Sequence, residues 1–73
     1  MTAMAGMIGL TINGARHDVP EGLTVRGLVE HLGLVDGPVA VELNGGVVPR
    51  ARHGEQTVVA GDVVEIVHFV GGG

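Results

Sequence analysis

The chain has 73 residues, enough for one small domain; 45% of them are apolar, and a single one, Phe69, is aromatic. The formal charge is −4, all four basic residues are arginines and cysteine is absent, which excludes disulfides, thiolate metal sites and the clustered cations that a phosphate backbone requires. No apolar run approaches the ~18 residues of a membrane helix, and the opening MTAMAGM lacks the basic start and apolar stretch of a secretory signal, so a cytoplasmic protein with no membrane and no nucleic-acid partner is expected.

Residues 1–6 read as a ragged start, and the domain is expected over 7–70. From Met7 to Asn13, Ile8, Leu10 and Ile12 alternate with small or polar neighbours, the period of a strand with one buried face. Asn13-Gly14 is the strongest short hairpin signal, because both residues tolerate positive φ. Ala15 to Val19 is the return strand, and Pro20-Glu21-Gly22 turns the chain. Thr24 then offers a helix N-cap. Val25, Leu28, Val29 and Leu32 follow at i, i+3, i+4 and i+7, one face of a helix, which Gly33 closes in a left-handed cap. Gly27 inside that helix costs about 1 kcal/mol against alanine, so the helix must depend on packing.

Asp36-Gly37-Pro38 forms the next turn, and Val39 to Leu43 (VAVEL) is a strand. Asn44-Gly45-Gly46 turns it into a short VVP strand, which Pro49 stops because it cannot donate to a ladder. Residues 50–60 are polar and irregular, with Thr57 and Val58 as a possible edge segment. Gly61-Asp62 precedes the longest strand, DVVEIVHFV. The order strand, strand, helix, strand, strand, strand predicts an α+β fold of β-grasp type. In it a mixed four- to five-stranded sheet has one helix packed on one face, and the last strand lies beside the first in the sheet's centre.

On that last strand Val64, Ile66, His68 and Val70 share one face, and Val63, Glu65, Val67 and Phe69 the other. Glu65 should meet water, so the helix covers the first set and leaves Val67 and Phe69 on an open face. An uncovered apolar patch there is either scattered surface or a protein-docking surface. Beyond it, Gly71, Gly72 and Gly73 form a flexible tail of about 10 Å at ~3.3 Å per residue. A terminal carboxylate on so bare a tether suits activation inside a partner's narrow channel. The activating apparatus would hold ATP, Mg²⁺ and cationic groups around the phosphates. This chain has no lysine and no phosphate-binding glycine loop, so it is expected to be the substrate, with ATP and magnesium handled by the partner and no cofactor bound here.

The pieces N-G (Asn13, Gly14), P-E-G-L-T-V (Pro20 to Val25), V-A-V-E-L-N-G (Val39 to Gly45), V-P-R (Val48 to Arg50), G-D-V-V-E-I-V (Gly61 to Val67) and the closing F-V-G-G-G together resemble the ThiS sulfur carriers of thiamine biosynthesis. The resemblance runs from Met7 to Gly73, and it rests on order and spacing rather than on any one piece. It implies a ubiquitin-like fold. It also implies that a ThiF-like adenylyltransferase adenylates the Gly73 carboxylate and that sulfur then replaces an oxygen. The resulting thiocarboxylate would be the sulfur donor used by thiazole synthase, ThiG. In family terms Val67, Phe69 and Val70 lie on the partner-facing surface, Gly71 and Gly72 are the tail, and the free carrier is a monomer.

Other readings share parts of this pattern. The small subunit of molybdopterin synthase has the same fold and chemistry, but a proline-containing approach to its glycines where this chain has HFVGGG. A covalent modifier would have no lysine here on which to build chains. A TGS-like binding module carries a similar G-D-x-V-E-I run but faces RNA. His17, His31, His53 and His68 lack metal-ligand spacing and read as partly exposed polar positions, while Arg50 and Arg52 read as a solvated pair. No acid–base pair or nucleophile triad is present, so the chain is not expected to be an enzyme.

Overall fold

The computed structural model describes residues 6–34 and 37–69. The expectations placed on residues 1–5, on Val35 and Asp36, and on Val70 to Gly73 lie outside these. Five strands, a helix and a short 3-10 turn follow in the order β1 (Met7–Ile12), β2 (Ala15–Pro20), α1 (Val25–His31), β3 (Val39–Leu43), β4 (Gly46–Val48), the 3-10 turn (Arg50–Arg52) and β5 (Val63–His68). They form one mixed sheet with strand order β2-β1-β5-β3-β4. β5 runs parallel to β1 and antiparallel to β3, while β2 and β4 are the edges. This is the ubiquitin-like β-grasp arrangement, with five strands and the C-terminal strand at its centre.

Alternation builds the core. Leu10 and Ile12 of β1, Val19 of β2, Val41 of β3, Val48 of β4, and Val64 and Ile66 of β5 all turn to one side of the sheet. There they meet Val25, Leu28 and Val29 of α1. Each such side chain contributes roughly 1.5–3 kcal/mol when fully buried. The hydroxyl of Thr24 accepts from the Gly27 amide at 3.1 Å, as expected of an N-cap. At the other end Gly33 has φ +79°. Its amide donates to the Glu30 carbonyl and the Leu34 amide to the Val29 carbonyl, both at 3.0 Å, which is the Schellman pattern that satisfies a helix's last carbonyls.

Two expectations need correction. Thr57 and Val58 do not edge the sheet. Thr57 forms a lone bridge with Thr24, and Val58 is fully buried. The 53–58 segment serves the helix instead, because the His53 and Gln56 carbonyls accept from the Arg26 and Val25 amides at 2.8 Å each. An α-helix leaves its first four amides without an internal partner, and this segment supplies two. The second correction concerns His53, which is buried at 8% exposure. Its Nε2 lies 2.9 Å from the Val48 carbonyl, tying the end of β4 to the segment under the helix. The other three histidines are exposed or half-buried, as read.

Candidate functional site

Both turn asparagines reach the central strand. Asn13 and Asn44 hold φ near +50°, a conformation that costs asparagine little, and each places its side-chain amide against β5 as though it were one more peptide. Asn13 Nδ2 donates to the Ile66 carbonyl at 3.0 Å, and its Oδ1 accepts from the Ile66 amide at 2.7 Å. Asn44 Oδ1 accepts from the Val63 amide at 2.8 Å, while its Nδ2 donates to the buried Asp62 carboxylate at 3.0 Å. Asp62 also accepts from the Val59 amide at 2.8 Å. β5 is thus gripped from both flanks by side chains as well as by its ladders.

The same strand shows two unlike faces. Val64 and Ile66 are buried against α1, whereas Val67 and Phe69 are 55% and 52% exposed on the opposite side. Val63 and Val47 are exposed on that side as well. The β2 end of this open face is polar, because the Arg16 guanidinium lies over Gly9 and bonds Asp18 at 3.1 Å. Uncovered apolar surface on this face lies on β5 and its β3–β4 flank, and also at Met7 of β1, 59% exposed.

The point where the chain leaves the sheet is held closely. The Phe69 amide donates to the Pro38 carbonyl at 2.9 Å. Gly37 has φ +91°, and a Cβ there would lie 2.5 Å from the Phe69 carbonyl oxygen, closer than any side chain tolerates. Only glycine fits, for both reasons. Of the residues expected to act, Val67 and Phe69 stand together at this exit. Val70, Gly71, Gly72 and Gly73 lie outside the described residues.

Beside α1 an open groove of about 360 Å³ is lined by Arg26, Glu30, Arg50 and His53 with Val29 and Leu34. Arg26 and Glu30 pair within it at 3.4 Å. Arg50 and Arg52 are exposed as expected, and Arg52 pairs with Glu55. The sequence reading missed this groove because its residues are far apart in the chain and share no motif.

Fold and exit define a small β-grasp domain whose central strand leads from an apolar open face to the chain's last glycines. The family model described as "ThiS family" matches residues 10–73. The crystal structure of the thiamine biosynthesis protein (ThiS) from Geobacter metallireducens superimposes with a TM-score of 0.76 at 40% identity, covering 90% of this chain and 100% of that one. The solution structure of a thiamine biosynthesis protein from the same organism gives 0.75 at 40% identity, with coverage of 90% and 88%. Thiazole synthases of Magnetococcus marinus and Paramagnetospirillum magneticum are 42% and 41% identical over 62 and 64 residues, 85% and 88% of this chain. The chain spans about a fifth of their length, 19% and 20%. The chain belongs to the ThiS family.

Proposed function

We propose that this protein is a sulfur carrier of thiamine biosynthesis that works as a substrate of its partners. A ThiF-like adenylyltransferase, holding ATP and Mg²⁺, brings the Gly73 carboxylate to the α-phosphorus of ATP. One carboxylate oxygen bonds to that phosphorus and pyrophosphate leaves. Hydrosulfide sulfur then bonds to the acyl carbon, AMP leaves with the oxygen, and a proton is released. The product is a C-terminal thiocarboxylate, whose sulfur is ionised at neutral pH and more nucleophilic than a carboxylate oxygen. Thiazole synthase takes the sulfur from it.

The chain supplies placement rather than a catalytic side chain. The observation that carries this reading is the exit. Asn13 and Asn44 pin the central strand, and the Phe69–Pro38 hydrogen bond beside Gly37 holds its end, where Val67 and Phe69 are exposed; in this reading they and Val70, next in sequence, meet the partners, and the glycines follow. The likeness to thiazole synthases favours thiazole formation over molybdopterin as the sulfur's destination.

Intact-mass spectrometry tests the proposal after incubation with ATP, magnesium, sulfide and the ThiF-like enzyme. The expected result is a gain equal to one oxygen exchanged for sulfur, mapped to the C-terminal peptide. Deleting Gly73 should abolish the gain and leave unfolding unchanged. Sulfur on the truncated chain, or no gain where a known carrier is loaded in parallel, would refute the proposal.

A further inference from the structure

Two glutamates face each other on the open side of the sheet. Glu42 of β3 and Glu65 of β5 are registered partners in the antiparallel ladder, and both are exposed. Residues so opposed hold their Cβ atoms about 4.5–5.5 Å apart, and like charges at that spacing destabilise a sheet. Among the described residues neither carboxylate has an ion pair: Arg16, Arg26 and Arg52 are engaged with Asp18, Glu30 and Glu55, and Arg50 lines the groove beside the helix.

The surroundings of the pair are apolar. Val47 lies opposite Glu42 on β4, and Ala40 opposite Val67 is the next outward-facing row, with Phe69 beyond it. A surface covering this patch would strip water from two adjacent carboxylates. That is strongly unfavourable unless the covering surface brings positive charge to the same spot. We propose that the open face docks a protein partner that inserts an arginine or lysine, set within an apolar patch, between Glu42 and Glu65. Arginine suits the position better, since its planar fork can bond both carboxylates at once. The choice of partners for the test rests on the sulfur-carrier reading; the charge pair and its apolar frame do not.

The test compares the wild-type chain with Glu42→Gln/Glu65→Gln in binding to its cognate adenylyltransferase and cognate thiazole synthase, at low and high salt. The double variant should be at least as stable to heat as the wild type, because the repulsion is gone. Its affinity for at least one partner should nevertheless fall roughly tenfold or more, with a weaker dependence on salt. Glu42→Lys, which answers Glu65 within the sheet, should also keep the fold and weaken binding. If the wild type is loaded and binds but both variants bind within twofold of it, this inference alone fails. If the wild type neither loads nor binds, both this inference and the carrier reading fail. A wild-type self-association in sedimentation that the double variant abolishes would overturn it in favour of a second copy of the chain.

Discussion

Asn13 and Asn44 each perform two tasks that a turn residue rarely combines. The left-handed backbone shapes the hairpin, and the side-chain amide replaces a missing peptide beside β5. Glycine at either position would keep the first task and lose the second. A neutral hydrogen bond contributes a net 0.5–1.5 kcal/mol or so, and Asn13 makes two to Ile66 across 53 residues of sequence. Asn13→Gly should therefore cost about 1–3 kcal/mol in urea unfolding, and Asn13→Ala about 1 kcal/mol more, because it adds left-handed strain. Equal stability of wild type and Asn13→Gly would show that the amide does not grip β5. The Asn-Gly dipeptides announce their turns in the sequence. Their reach to β5, 53 residues on for Asn13 and 19 for Asn44, is invisible there, because it depends on strand order and not on local pattern. His53 escapes sequence reading for the same reason: nothing in RARHGEQ says that its ring turns inward to the Val48 carbonyl.

Among the elements, β5 and α1 are each completed by a loop. The 53–58 segment accepts from the first amides of α1, so a seven-residue helix with glycine in its first turn is held by tertiary contacts that its own propensity would not provide. The 37–38 turn does the corresponding service for the end of β5. Gly37→Ala should free the Phe69 amide from Pro38, with exchange at Phe69 rising roughly tenfold or more while Val41 stays protected. Gly45→Ala is the control, because Gly45 has φ +86° but open space around it. It bears the same backbone strain without touching the exit. Faster exchange at Phe69 in both variants would assign the effect to general destabilisation. If the exit sets the tether's direction, Gly37→Ala should also slow sulfur loading more than Gly45→Ala does.

At the scale of the molecule, one cluster of aliphatic side chains holds everything, with no aromatic residue inside it. Small domains are marginal, and net stability of single domains is about 5–15 kcal/mol. Leu28 is fully buried at the centre of the helix, so Leu28→Ala should cost about 2–5 kcal/mol. That loss should appear as a large drop in the urea midpoint, with partial unfolding at ambient temperature. The strand and helix order, the buried alternation of Leu10, Ile12, Val64 and Ile66, and the outward Val67 and Phe69 were all legible, because each follows from a period of two or of 3.6. The opposed Glu42 and Glu65 were not. Each reads as an ordinary exposed position in its own strand, and only the register between two strands far apart in the chain brings Glu42 and Glu65 together.

The central place of β5 also bears on how the chain comes into being. The β1–β2 and β3–β4 hairpins share no ladder, and β5 alone joins them. During synthesis both hairpins emerge from the ribosome with open edges, and an isolated hairpin is marginally stable at best in water. The sheet can close only after residue 68 has cleared the exit tunnel. A nascent chain interrupted before β5 would offer proteases two loose hairpins, whereas a chain that includes β5 can join them into one sheet.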